Sequence, residues 1–75
     1  MNTEKESASK YSSEFSDRIR YLRNKNKISA REMSIALGQN VNYVNLIENG
    51  KRLPDIMTLC RSANVLEVTL DELII

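Results

Sequence analysis

Apolar residues recur at helical spacing in five segments of the chain, and no segment alternates in the way that a half-buried strand does. Phe15, Ile19 and Leu22 stand at positions i, i+4 and i+7, which places them on one face of a helix. The other segments cover residues 33–37, 44–47, 56–63 and 70–74. The pattern predicts an all-α domain of five short helices over residues 12–75, preceded by a mobile, serine-rich tail over residues 1–11.

Residues that start and stop helices support these segments. The first helix is expected to begin at Ser12 or Ser13. Ser29 with Glu32 three residues later forms a capping box, which predicts a second helix over residues 30–37. Gly38 follows directly and is expected to end that helix, because glycine takes a positive φ without steric cost.

Further signals bound the remaining helices. Asn26 is expected to stop the first helix in a left-handed conformation. Asn40 is a candidate cap for the third helix, which Gly50 is expected to end. Asp55 is the expected cap of the fourth helix, and residues 69–72 form a second capping box that opens the fifth.

The helical stripes also predict which residues are buried. The expected core consists of Phe15, Ile19, Leu22, Met33, Ala36, Leu37, Val44, Ile47, Ile56, Leu59, Cys60, Ala63, Leu70, Leu73 and Ile74. Cys60 lies on the stripe of the fourth helix, so we expect it to be a small buried hydrophobic residue. Glu67 precedes the fifth helix, where either it takes a strained positive φ or the turn has a different shape.

Composition excludes several kinds of site. A single cysteine cannot close an internal disulfide, and the absence of histidine removes a His-activated nucleophile and a common metal ligand. With no glycine-rich phosphate loop and no paired carboxylates, the sequence predicts a protein that is not an enzyme and binds no cofactor or metal. No run of about 18 apolar residues and no secretory signal is present, so a reducing cytoplasm is the expected location.

Charge is distributed unevenly, although the net charge is only +1. Residues 18–52 contain eight basic and two acidic residues, a balance of +6, whereas the segments on either side are acidic. A basic centre of this kind is typical of a surface that binds a polyanion. An ordinary solvated surface of mixed charge explains the distribution about equally well.

The link between the second and third predicted helices is short and contains only Gly38, Gln39 and Asn40. Two helices joined by such a turn cross steeply, so the second of the pair projects from the body of the domain and can enter a DNA major groove. Short turns are common in helical domains, so the spacing suggests a helix-turn-helix without establishing it.

The sequence over residues 28–73 resembles the lambda-repressor/Cro type of helix-turn-helix, the XRE family. The resemblance is carried by Ile28-Ser29, Met33, Leu37-Gly38, Val44, Ile47-Glu48-Asn49-Gly50-Lys51, Pro54, Ala63, Leu66, Val68 and Leu70-Asp71-Glu72-Leu73. It implies a compact five-helix, lambda-repressor-like fold whose third helix reads double-stranded DNA, with two copies on an inverted repeat. It also implies a bacterial or phage-encoded transcription regulator, more often a repressor than an activator.

The outer side of the third helix is the base-reading surface that this resemblance implies. Four candidates for base contact share that side: Val41, Asn42, Tyr43 and Asn45. Val44 and Ile47 take the inner side. The amide of Asn42 is the leading reader, because it can pair with adenine N6 and N7 together. For Tyr43, packing against the first helix or the turn is an equal alternative, and Leu46 is assigned no role.

Candidate phosphate contacts flank the reading helix: Ser29, Arg31, Asn40, Asn49, Lys51 and Arg52. Asn40 stands beside the backbone N–H groups that open the helix, and these groups attract anions. Members of the family place a glutamine at the start of the second helix, where it holds a phosphate. Ala30 occupies that position here, so Arg31 or Ser29 has to substitute for the missing contact.

Two further residues and the C-terminal end have structural interpretations. The resemblance implies that Arg23 of the first helix and Glu48 of the third form a structural ion pair. Neither residue is then a DNA contact or a catalytic group. Residues 73–75, Leu-Ile-Ile, are a candidate contact of a homodimer, with closure of the core by Leu73 as the alternative.

A second class of function stays open at this point. A helix-turn-helix can lose DNA binding and keep its fold as a protein-interaction module or an antitoxin-like partner-binding protein. The low net charge and Ala30 favour this alternative, and the basic centre opposes it. The chain stops directly after the fifth predicted helix, which leaves open that it is the DNA-binding part of a longer protein.

Overall fold

The computed structural model describes the backbone of residues 3–75 and the side chains of residues 14–75. Over the described backbone the chain forms five helices and no strand: α1 (Thr3–Lys25), α2 (Ala30–Ala36), α3 (Tyr43–Glu48), α4 (Ile56–Leu66) and α5 (Leu70–Ile74). The predicted all-α, five-helix fold is confirmed. None of the described helices is long and apolar enough to cross a lipid bilayer.

Helix α1 begins earlier than the sequence pattern indicates. It starts at Thr3 and not at Ser12 or Ser13. The segment before Ser12 has no apolar stripe, but it contains Glu, Lys and Ala, whose helix propensity is high without any packing partner. The prediction that residues 1–11 are mobile stays a prediction, since their side chains, and all of residues 1 and 2, lie outside the described part of the chain.

The predicted caps of α2, α4 and α5 are confirmed. Ser29 Oγ and the Glu32 carboxylate each accept a backbone N–H bond from the other residue at 2.9 Å, and the N–H of Ser29 lowers the pKa of Glu32. Asp55 accepts the N–H of Thr58 at 2.8 Å, which lowers the pKa of Asp55. Residues 69–72 form the second capping box.

The end of α1 differs from the prediction, because the left-handed residue is Lys27, with φ of 58°, and not Asn26. The side-chain amide of Asn26 has another use. It donates to the carbonyl oxygen of Leu22 at 2.8 Å and to that of Leu66 at 3.1 Å. One amide therefore completes the end of α1 and connects it to the end of α4.

Helix α3 also begins later than predicted, since its N-cap is Asn42 and Asn42 makes no capping bond with its side chain. Asn40 Oδ1 accepts the N–H of Asn42 at 2.9 Å, so Asn40 shapes a turn that precedes the helix. Gly38 and Gly50 have φ of 71° and 70°, as expected for residues that end helices.

The core is formed by one inner face of each helix. Its buried apolar residues are Ile19, Leu22, Met33, Leu37, Tyr43, Val44, Ile47, Ala63, Leu66 and Leu73, with Phe15, Ile28, Ala30, Leu59, Val65 and Val68 packed partly against them. Leu73 is fully buried, so closure of the core by this residue is confirmed.

Four predicted core residues are instead exposed: Ala36, Ile56, Cys60 and Ile74. On α4 the reason is visible. Thr58 and Ser62 occupy the inner positions, and the hydroxyl of Ser62 donates to the carbonyl of Thr58 at 2.8 Å. A pattern counted from apolar residues alone misses a face built on small polar residues whose hydrogen bonds are satisfied. The prediction of a buried Cys60 was therefore wrong.

Of the two possibilities for Glu67, a strained positive φ or a different turn, the structure shows the first, with φ of 57° and ψ of 42°. We expect Glu67→Gly to raise the free energy of unfolding by about 0.5–1 kcal/mol. Left-handed backbone costs an ordinary residue roughly 1–2 kcal/mol, and the flexibility of glycine in the unfolded chain offsets about half of that gain. Urea denaturation measures the change.

Glu67→Ala is the matched control, because it removes the charge and keeps the strained backbone, so it should give no gain. Asn64→Gly, inside α4, is a second control and should lower the free energy of unfolding. Equal effects of Glu67→Gly and Glu67→Ala would show that the strain at this position costs nothing.

Candidate nucleic-acid interface

Helix α3 has an inner and an outer side that differ in chemistry. The inner residues, all buried, are Tyr43, Val44, Ile47 and Glu48. The outer residues, all exposed, are Asn42, Asn45, Leu46 and Asn49. Because successive residues turn by about 100° around a helix, these two sets lie on opposite sides. The structure therefore presents three side-chain amides and one leucine to solvent.

The beginning of α3 is attached to α2 by Ser34, which is completely buried. Its hydroxyl donates to the carbonyl of Ala30 at 2.8 Å and accepts the N–H of Val44 at 3.0 Å. The second bond satisfies one of the first N–H groups of α3, which have no carbonyl partner within the helix. This serine was not predicted as a functional residue from the sequence; its position beside Met33, on the inner face of α2, was the available signal.

The end of α3 is attached to α1 by the ion pair of Arg23 and Glu48. Arg23 Nε lies 2.6 Å from Glu48 Oε2, and Arg23 Nη2 lies 3.0 Å from Glu48 Oε1. The remaining Nη1 donates to the carbonyl of Ile28 at 2.9 Å. The Glu48 side chain is only 5% exposed, and its hydrogen bonds raise the pKa of Arg23. The guanidinium of Arg23 and the carboxylate of Glu48 are therefore both hydrogen-bonded within the domain.

Arg20 and Ser16 of α1 add contacts that the sequence did not indicate. Arg20 Nη2 donates to the backbone carbonyl of Glu48 at 2.7 Å, and Arg20 Nε lies 3.4 Å from the carboxylate of the same residue. The buried hydroxyl of Ser16 donates to the carbonyl of Ile47. These donors bond to carbonyl groups at the end of α3, where a helix has no N–H partners of its own, and that of Ile47 also accepts the N–H of Gly50 at 3.0 Å.

The predicted base-contact residues do not all lie on the outer side. Asn42 and Asn45 are exposed and Val41 is half-buried, whereas Tyr43 is only 4% exposed. Of the two alternatives for Tyr43, the outward-facing one was wrong and the packed one is what the structure shows, because its ring lies in the core. The guanidinium carbon of Arg52 lies 5.1 Å from the centroid of that ring, in a cation–π contact.

The predicted phosphate contacts are all exposed: Ser29, Arg31, Asn40, Asn49, Lys51 and Arg52. Arg31 comes from α2, and Lys51 and Arg52 follow the end of α3, so exposed positive charges are contributed by the helix before α3 and by the segment after it. Among the described residues no group of His, Cys, Asp or Glu is placed to hold a metal ion.

A model of the helix-turn-helix family matches residues 19–73. The chain belongs to this family, in its XRE type, and is a DNA-binding transcription regulator. Among solved structures, it is similar to the restriction-modification controller protein C.AhdI from Aeromonas hydrophila. The TM-score is 0.77 at 26% identity, over 83% of this chain and 90% of that chain. No curated protein gives a significant match to this sequence.

Proposed function

We propose that α3 enters the major groove of double-stranded DNA and reads base edges with its outer side. The observation that carries the proposal is the exposed amide surface of a helix whose two ends are attached to the domain, through Ser34 at one end and Glu48 at the other. A reading helix must keep its orientation while its side chains choose a sequence, and this arrangement meets that requirement.

Phosphate groups on both sides of the groove would be bound by the exposed cations Arg31, Lys51 and Arg52, with Ser29 and Asn40 as further donors. Asn49, also predicted as a phosphate contact, lies on the outer side of α3 with Asn42 and Asn45. Arg31 stands directly after Ala30, so it supplies charge where relatives place their glutamine. Arg20 and Arg23 are engaged with Glu48 and are not part of this set. Each protein copy then makes about three charged phosphate contacts. A plot of the logarithm of the binding constant against the logarithm of the salt concentration should therefore have a slope of about −3 per copy, which we call the salt slope.

Two copies are proposed to bind an inverted repeat with half-sites about 34–36 Å apart, because one module of this size buries too little surface for tight binding. The apolar patch formed by Phe15, Leu53, Pro54, Leu59 and Ile74 is the proposed contact between copies. Leu53 is 61% exposed and Ile74 is 46% exposed in the single chain. Occupancy of a promoter by such a dimer makes repression the favoured mode of regulation.

The test is binding of the 75-residue protein to genomic DNA fragments at 50 and 200 mM salt. Particular fragments should be retained at the lower concentration. With about six phosphate contacts per dimer, their affinity should fall about 10³-fold at the higher one. Retention of no fragment at 50 mM salt would contradict the proposal.

Asn42→Ala and Lys51→Ala should have different effects on binding. Loss of the Asn42 amide removes a base contact, so discrimination between the preferred site and its single-base variants should fall about fivefold or more at one position. Loss of Lys51 should weaken binding to all sequences alike and reduce the salt slope by about one. Fluorescence anisotropy with a panel of duplexes measures both. The opposite pattern would reverse the two assignments.

Ile74→Asp is expected to shift the protein from dimer to monomer, because it places a charge in the apolar patch. Sedimentation velocity measures the change. Ile35→Asp is the matched control, since Ile35 is 56% exposed on α2, outside the patch. A monomeric wild-type protein at all concentrations, or equal effects of both substitutions, would exclude this surface as the dimer contact.

A further inference from the structure

We propose that each half-site contains a core of about three to four consecutive A·T pairs, read by the amides of Asn42, Asn45 and Asn49 together with the side chain of Leu46. This inference rests on the proposed function, because it assumes that the outer side of α3 faces the base edges. It assigns Leu46 a role in specificity and restricts the class of DNA sequence that the protein selects.

The four side chains form a single stripe. Asn42, Asn45, Leu46 and Asn49 stand at positions i, i+3, i+4 and i+7, which spread over about 100° of the helix circumference. At a rise of 1.5 Å per residue the stripe is about 10 Å long, or about three base pairs. The four residues on the opposite side are buried, so rotation of α3 cannot offer a different set to the DNA.

The chemistry of the stripe matches adenine and thymine. A side-chain amide donates to adenine N7 and accepts from N6 at the same time, whereas guanine N7 and O6 require two donors, which arginine or lysine supplies. Residues 41–49 contain three asparagines and no Arg, Lys or Gln. The neighbouring cation Arg52 lies over the ring of Tyr43, which is outside the stripe.

Leu46 gives the stripe its apolar element. It is 36% exposed and stands next to Asn45 and one helical turn from Asn42 and Asn49. The apolar group that a base pair presents in the major groove is the C5 methyl of thymine. A leucine among three amides therefore favours thymine beside the adenines that the amides read.

Selection of bound duplexes from a random-sequence library, with the 75-residue protein, tests the inference. Enrichment of half-sites whose central three or four pairs are all A·T is the expected result. Enriched half-sites with an invariant G·C pair inside that core would overturn the inference and leave the proposed function intact. Absence of any enriched sequence would overturn both.

Base analogues in the selected duplex then test the individual contacts. Replacing thymine by uracil removes the C5 methyl and should weaken binding about three- to fivefold at one position, and Leu46→Ala should abolish that difference. Replacing adenine by 7-deazaadenine removes N7 and should weaken binding about fivefold or more, an effect that one asparagine-to-alanine variant abolishes.

Ile35→Ala is the control for Leu46→Ala, because it truncates an exposed aliphatic side chain on α2 and should preserve the difference between thymine and uracil. Thermal unfolding of each variant verifies the fold. Retention of the full thymine–uracil difference in Leu46→Ala would exclude Leu46 as the methyl contact.

Discussion

Glu48→Ala is expected to lower the free energy of unfolding by about 3–5 kcal/mol and the Tm by more than about 12 °C, the largest effect of any substitution considered. The carboxylate is 5% exposed and is bonded at both oxygens by Arg23, whose side chain is 13% exposed. Its removal leaves the guanidinium charge largely buried without a partner, and the cost of that unpaired charge dominates. Thermal and urea unfolding measure the loss.

Two control variants separate this explanation from a general effect of removing charge. Asp17→Ala breaks the exposed pair of Asp17 and Arg20 and should change stability by less than about 1 kcal/mol. The double variant Arg23→Met/Glu48→Leu should recover part of the lost stability, because it leaves no buried charge without a partner. A Tm of Glu48→Ala as close to wild type as that of Asp17→Ala would contradict the assigned role of the pair.

Ser34→Ala should cost about 1–3 kcal/mol, because the N–H of Val44 then has no partner in the core. Ser62→Ala is a close control. Both serines are buried and donate to the carbonyl four residues earlier at 2.8 Å, but only Ser34 also accepts an N–H from another helix. Ser62→Ala should therefore cost less than about 1 kcal/mol.

Hydrogen exchange adds a local measurement to the same comparison. The amide of Val44 should lose protection in Ser34→Ala and keep it in Ser62→Ala, since only the first variant removes its acceptor. Equal losses of stability and unchanged protection of Val44 would show that Ser34 does not hold α2 and α3 together.

Local signals in the sequence were sufficient for most of the fold. The capping residues at 29, 55 and 69 and the glycines at 38 and 50 act through their own backbone, so they predict helix boundaries without knowledge of the tertiary structure. The start of α1 was missed because helix propensity, and not an apolar stripe, accounts for the segment before Ser12.

Long-range contacts were harder to predict. The pairing of Arg23 with Glu48 came from family resemblance, since no local rule joins residues that far apart in sequence. Ser16, Ser34 and Arg20 were missed because each makes its decisive bond to the backbone of another helix, and any residue type presents the same backbone carbonyl or N–H. The periodicity of the sequence carries no information about such backbone acceptors and donors.

Burial on α3 and α4 shows the limit of a pattern based on residue type. For Tyr43 an outward and a packed position were both open, and it is inside, whereas Ile56 and Cys60 were expected inside and are outside. A tyrosine can be buried when its ring has packing partners, and a helix can pack through serine and alanine where neighbours approach closely. The exposed amides of α3 were predicted because Val44 and Ile47 fix the orientation of that helix.

An NMR titration of the 15N-labelled protein with its selected DNA duplex tests directly whether the outer side of α3 contacts DNA, because the side-chain amide signals of the asparagines can be followed. The amides of Asn42, Asn45 and Asn49 should show the largest changes, and that of Asn64, exposed on α4, should stay unchanged. Changes concentrated at Asn64, with the three α3 amides unaffected, would contradict the assignment of α3 as the surface that reads DNA.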